Sequence, residues 1–153
     1  MFEDIRNFLP FSEKLFTGGM PKADQLVDAA QNGVQVVINL APHSAADALP
    51  NETELVTSLG MQYVNIPVDW STPTQDGLDR FLATMDANED KKILVHCQAN
   101  FRASAFASLY RILRQGWEPD EAMQGMHKIW DEEDYPMWKK FIQDTLKRSR
   151  EGS

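Results

Sequence analysis

The chain has 153 residues, 42% hydrophobic and 25% charged, the size and composition of one globular domain with a buried core. Fifteen Lys and Arg against 23 Asp and Glu leave a net charge of −8, a far field that repels nucleic acid and anionic membranes. Neither is an expected partner, and any anion the chain recognises must meet a local positive site. The single cysteine, Cys97, excludes an internal disulfide, a paired-thiol redox motif and a cysteine-rich zinc site. It is either a small buried hydrophobe or a nucleophile.

The opening MFEDIRNFLPFSEKL carries three acidic residues and no long apolar run, so no signal peptide is expected. No stretch approaches the ~20 apolar residues of a membrane span. The composition predicts a soluble, cytoplasmic chain folded as one domain over residues 1–153, with its core over about 11–147 and a frayed tail from Arg148 to Ser153. No heptad or long exposed apolar stripe fixes an oligomeric state.

In chain order, Lys14 to Thr17 reads as a short edge strand, closed by Gly18-Gly19 and a turn at Pro21. Ala23 to Asn32 reads as a helix, with Leu26, Ala29 and Ala30 on one side and Gly33 past its end. Val34 to Leu40 is a nearly continuous β-branched run, expected of a strand covered on both faces. Asn51 and Glu54 have capping-box spacing for a short helix that Gly60 closes, and Met61 to Val68 is the next strand.

Thr72-Pro73-Thr74-Gln75 offers an N-cap, a Pro at N1 and a Gln at N3. The helix that follows carries the stripe Leu78, Phe81, Leu82, Met85. Lys92 to His96 is the third strong strand. It runs through Cys97 to Phe101 into a helix striped by Phe106, Leu109, Tyr110 and Leu113 and ended by Gly116. Two further helices open at Pro119 and Pro136, docked by Trp130, Trp138, Phe141 and Ile142; Asp131-Glu132-Glu133-Asp134 reads as a solvated connection rather than a metal site. Strands separated by helices imply right-handed crossovers and an α/β fold, a mainly parallel sheet flanked by helices.

Ligands of such sheets collect at the carboxyl ends of the strands. There the lone Cys97 is followed by Gln98, Ala99, Asn100 and Phe101, then by Arg102 and Ala103 at the start of a helix. The N–H groups of a tight loop and a first helical turn converge without partners and form an anion cradle. The same positive end lowers a thiol's pKa, and the planar Arg102 fork can clamp two oxygens of a phosphate.

His96-Cys97, four residues, then Arg102-Ala103-Ser104 resembles the HCxxGxxR(S/T) signature of cysteine-dependent protein tyrosine and dual-specificity phosphatases. Val68-Asp69-Trp70-Ser71-Thr72-Pro73 looks like that superfamily's mobile general-acid loop. Leu15 to Pro21 followed by Val36 to Leu40 is similar to a bacterial branch of small phosphatase-like domains, some fused to β-lactamase-like hydrolases. The resemblance spans roughly Phe11 to Leu113. It departs in one place: the signature has five residues between Cys and Arg and a Gly in the loop, where this chain has four and none. A tight phosphate loop needs a residue at positive φ, and Asn100 is of the type that tolerates it.

The resemblance implies a phosphatase fold and two-step phosphoryl transfer from a phosphorylated protein or small molecule, with no metal or cofactor. In it, Cys97 is the nucleophile, and Arg102 with the N–H groups of residues 98 to 103 binds the phosphate. Asp69 is the general acid, with Asp76 as competitor, although a first-turn carboxylate is already explained by the helix dipole. His96 supports the thiolate, and Ser104 hydrogen-bonds the departing sulfur. Two alternatives stand beside it: a phosphate-binding module whose short loop has lost turnover, and a rhodanese-like sulfurtransferase, which has no use for the Asp69 loop.

Overall fold

Among the described residues, five short strands form one sheet in the order β1-β2-β5-β3-β4. They are β1 (Leu9–Pro10), β2 (Leu15–Gly18), β3 (Val36–Asn39), β4 (Gln62–Asn65) and β5 (Ile93–His96). All neighbours are parallel except β1, which runs antiparallel to β2. The computed structural model describes residues 1–45 and 47–151. Its helices are α1 (Ala23–Gln31), α2 (Glu52–Ser58), α3 (Gln75–Ala87), α4 (Phe101–Leu113), α5 (Pro119–His127) and α6 (Pro136–Glu151). The α/β architecture expected from alternating strand and helix patterns is the one observed, and no helix among the described residues is long and apolar enough to cross a membrane.

β3 and β5 are buried along their whole length because helices cover both faces of the sheet. Alternate side chains go to opposite sides. Val36, Ile38, Ile93 and Val95 pack with Leu78, Phe81, Phe106, Trp138 and Phe141 from α3, α4 and α6. Val37 and Leu94 pack on the other side with Leu26 and Ala29 of α1 and Val56 of α2. In register, Gly18, His96 and Asn39 form one row at the carboxyl ends of β2, β5 and β3, and Asn65 of β4 continues it. This row is the floor on which the loop after β5 rests.

Several local expectations shift. β2 is not an edge strand: β1 covers its outer side, and Pro10, which has no N–H to give to a ladder, sits where such a residue is tolerated. The cap of α3 is Thr74, two residues later than expected, with its Oγ1 accepting from Gly77 N at 3.0 Å. That leaves Gln75 to donate to Thr145 Oγ1 of α6 at 2.7 Å. Asn51 does precede α2, but at φ 57° and with no side-chain cap bond, so the capping box is not formed.

The core begins earlier than expected, and helix runs on into the expected tail. Phe2 and Ile5 are buried, with Phe2 edge-on to Phe8 and Phe16. At the other end α6 continues to Glu151, and Arg148 bonds Gln75 Oε1 at 2.7 Å and Asp79 Oδ1 at 3.2 Å. Gly152 and Ser153, the end of the tail expected to fray, lie outside the described residues.

Trp138 is wholly buried, and its Nε1 donates to Trp70 O at 2.7 Å. Trp138→Ala removes a large core side chain and leaves that carbonyl unpaired. We expect a loss of about 3–5 kcal/mol in urea unfolding.

Candidate active site

The chain leaves β5 at His96 and enters α4 at Phe101, so the connection is four residues, 97 to 100. Cys97 is buried at its start, with its N–H on Gly18 O at 3.3 Å. The end of β2 approaches the loop closely: Met20 N donates to Gln98 O at 3.0 Å, and a Cβ on Gly19 would stand 2.5 Å from that same oxygen. Only glycine fits there.

Asn100 ends the loop at φ 69°, in the left-handed region where the sequence expected it. Its amide nitrogen donates to Asn7 O at 2.8 Å and Thr17 Oγ1 at 3.0 Å, while Asn7 Nδ2 donates to Ala99 O at 3.0 Å. The short loop is thus braced from below by β2 and by the segment before β1. Among the described residues, the N–H groups of Gln98 and Ala99 and of Phe101, Arg102 and Ala103 in the first turn of α4 have no protein acceptor. Open donors of this kind are what an anion-binding loop requires.

Arg102 is buried although charged. Its Nη1 donates to Val68 O at 2.8 Å and its Nη2 to Gln98 Oε1 at 3.0 Å. Gln98 in turn donates to Asp47 Oδ1 at 2.7 Å. A cleft of about 320 Å³ adjoins the loop at Gln98, between Arg6, Lys22 and Leu49.

Asp69 is exposed on the loop that Arg102 grips. Its Oδ1 accepts from Ser71 Oγ at 2.7 Å and Ser71 N at 2.9 Å. Those bonds, with a smaller pull from the Arg102 charge, hold its carboxyl below the usual carboxylate range. Asp76 is exposed in the first turn of α3. Trp70 packs into an aromatic cluster, with ring centroids 5.7 Å from Phe101, 5.3 Å from Trp130, 5.0 Å from Tyr135 and 5.2 Å from Trp138. Phe101 lies flat on Trp130 at 5.3 Å, so one cluster ties the Asp69 loop to the start of α4.

Residues 9–144 match the sequence profile of the family described as DSP-PTPase phosphatase fused to NAD+ kinase. The chain belongs to this phosphatase family. A DUF442 protein of Shewanella putrefaciens CN-32 is 43% identical and superposes with a TM-score of 0.87 over 94% of this chain and 91% of its own. The β-lactamase hydrolase-like protein of Xylella fastidiosa is 26% identical over 113 residues, 72% of this chain. The chain spans only 26% of the length of that curated relative. TpbA of P. aeruginosa shares the fold, with a TM-score of 0.73 at 20% identity over 91% of this chain and 84% of its own. The resemblance drawn from the HC…R segment is therefore to the right family.

Within this phosphatase fold one sequence expectation needs revision. Ser104 does not offer its hydrogen to the Cys97 sulfur: Oγ donates to Asn100 O at 2.6 Å and accepts from Trp130 Nε1 at 3.2 Å. A helix hydroxyl finds the carbonyl one turn back more readily than a side chain outside the helix. His96, expected to support the thiolate, is buried, and its Nε2 lies 2.5 Å from Glu52 Oε2. Glu52, Asn39 and Tyr63 were missed, and an acidic residue opening a short helix looks like an ordinary dipole partner until its burial is known.

Asn100→Ala removes both amide bonds and also places a Cβ residue at positive φ, whereas Asn100→Gly only removes the bonds. Urea unfolding is expected to find the Ala variant the less stable by about 1 kcal/mol, the reverse of the usual helix-region order.

Proposed function

We propose that the protein hydrolyses phosphate monoesters through a phosphocysteine on Cys97. The observation that carries this reading is the set of unpaired N–H groups at the start of α4, gathered beside a buried thiol and a buried guanidinium. An anion seated there satisfies donors that the fold leaves open, and the same field favours the thiolate.

In the first step Cys97 Sγ attacks phosphorus while the bond to the leaving oxygen breaks, and that oxygen takes a proton from Asp69. The N–H groups of residues 98, 99 and 101 to 103 and the Arg102 fork hold the three non-bridging oxygens. In the second step water attacks phosphorus, its proton passes to Asp69, and the S–P bond breaks to return the thiolate and inorganic phosphate. Asp69 is preferred to Asp76 because it sits on the loop that Arg102 grips through Val68 O. Ser104 and Asn100 keep the loop in shape rather than act on the sulfur.

A carboxyl held below its usual range is ionised in the free protein at neutral pH, so Asp69 gains its proton only as pH falls or as a bound phosphate dianion displaces the Ser71 bonds. Turnover of alkyl phosphates, whose leaving groups need a proton, is expected to fall as pH rises from the acid range, where the Asp69 carboxyl titrates, toward neutrality. Aryl phosphates should lose less.

Phosphotyrosine is a reasonable first probe, since it is present in a structure of P. aeruginosa TpbA. Phosphate release from an aryl phosphate should be abolished in Cys97→Ser, and a rapid quench should trap a phosphoryl adduct on Cys97 by mass spectrometry. Asp69→Asn should slow alkyl phosphates by about 10²-fold or more and aryl phosphates with good leaving groups far less. Vanadate binding without phosphate release would instead mark a phosphate-binding module.

A further inference from the structure

We propose that Glu52 is a positioning residue for Cys97: its buried carboxylate keeps His96 as an imidazolium against the Cys97 backbone carbonyl. The proposal rests on the reading of Cys97 as nucleophile and adds the group that sets its charge state.

His96 Nε2 is 2.5 Å from Glu52 Oε2, and the two side chains are 0% and 3% exposed. The other ring nitrogen, Nδ1, faces the Cys97 carbonyl oxygen at 3.4 Å. A carbonyl can only accept, and so can an ionised carboxylate. A ring with an acceptor at each nitrogen satisfies both only when it carries two protons.

The other carboxylate oxygen is met by donors. Glu52 Oε1 accepts from Asn39 Nδ2 at 3.1 Å and from Tyr63 Oη at 3.2 Å, the pattern of an acceptor-only group. Burial pushes the Tyr63 phenol well above its ordinary value, so it keeps its proton to donate. Asn39 cannot turn over, because its Oδ1 is taken by Ala41 N at 2.9 Å.

The pieces come from separate elements: Glu52 opens α2, Tyr63 lies on β4, and Asn39 is the register partner of His96 on β3. The titratable groups around the ring are therefore Glu52 and, behind it, Tyr63 and His43, whose Nε2 is 2.8 Å from Tyr63 Oη. On the loop side Cys97 and Arg102 follow. A buried Glu–His pair costs desolvation, and on this reading it fixes a positive ring against the Cys97 backbone.

The test is the pH dependence of Cys97 alkylation by iodoacetate, in the wild-type chain and in Glu52→Gln. Without the carboxylate, His96 loses its second proton, and the midpoint is expected to rise by about one pH unit, a tenfold slower alkylation in the acid limb. If His96 stays charged regardless, deleting the Glu52 charge leaves the midpoint where it was or lowers it, and the proposal fails. A wild-type midpoint near 8.5 would instead overturn the activated thiolate itself, and with it the proposed function. Should Glu52→Gln not fold, the ¹⁵N shifts of the His96 ring in the wild-type protein decide. Two protonated ring nitrogens at pH 7 support the proposal, and one protonated nitrogen ends it.

Discussion

The turn from β5 into α4 is made in four residues, and most of the molecule's unusual features follow from that constraint. A strand buried in the middle of a sheet must hand over to a helix whose first turn has no acceptors for its N–H groups. With so short a connection the chain has to pass through the left-handed region once, and Asn100 takes that conformation without a glycine. Its side chain then does what a glycine could not, fastening the loop to Thr17 on β2 and to the backbone of Asn7. Asn7 lies outside the 9–144 span of the family match, so part of the support for this loop comes from residues the shared pattern does not include.

Electrostatics runs on two scales here. The chain carries −8 overall, a field that by itself disfavours phosphate. Around Cys97 the balance is reversed locally by backbone dipoles and by Arg102, which is buried and fixed by Val68 O and Gln98. A fixed guanidinium in a low-dielectric setting acts more strongly at short range than dispersed surface carboxylates do across water. On the proposed function, the acidic surface sets what approaches and the buried donors set what is held.

The same parts that position the site also hold the fold. Trp138 fills the core and fixes the backbone of the Asp69 loop at Trp70 O, while Trp130 donates to Phe101 O at the head of α4. The aromatic cluster thus couples the loop of the proposed acid to the loop of the proposed nucleophile through packing rather than through charge. Motion of one is opposed by the same rings that steady the other.

The local signals were readable directly. Apolar patterning with cap and turn signals marked four strands and six helices within a few residues, and the segment from His96 to Ser104 pointed to the phosphatase family and to Asn100 as a residue that tolerates positive φ. Those features depend on neighbours in the chain, on period and on steric limits at one residue. What only the tertiary structure decided depends on distance across the fold. β2 became an inner strand because β1 paired on it, and the Ser104 hydrogen went to Asn100 O because the helix put that carbonyl closer. Glu52 became the partner of His96 because α2 and β5, 44 residues apart in sequence, meet at the row formed by Asn39 and His96. No periodicity or spacing records such a meeting, since a charge's burial and partner are properties of the packed molecule.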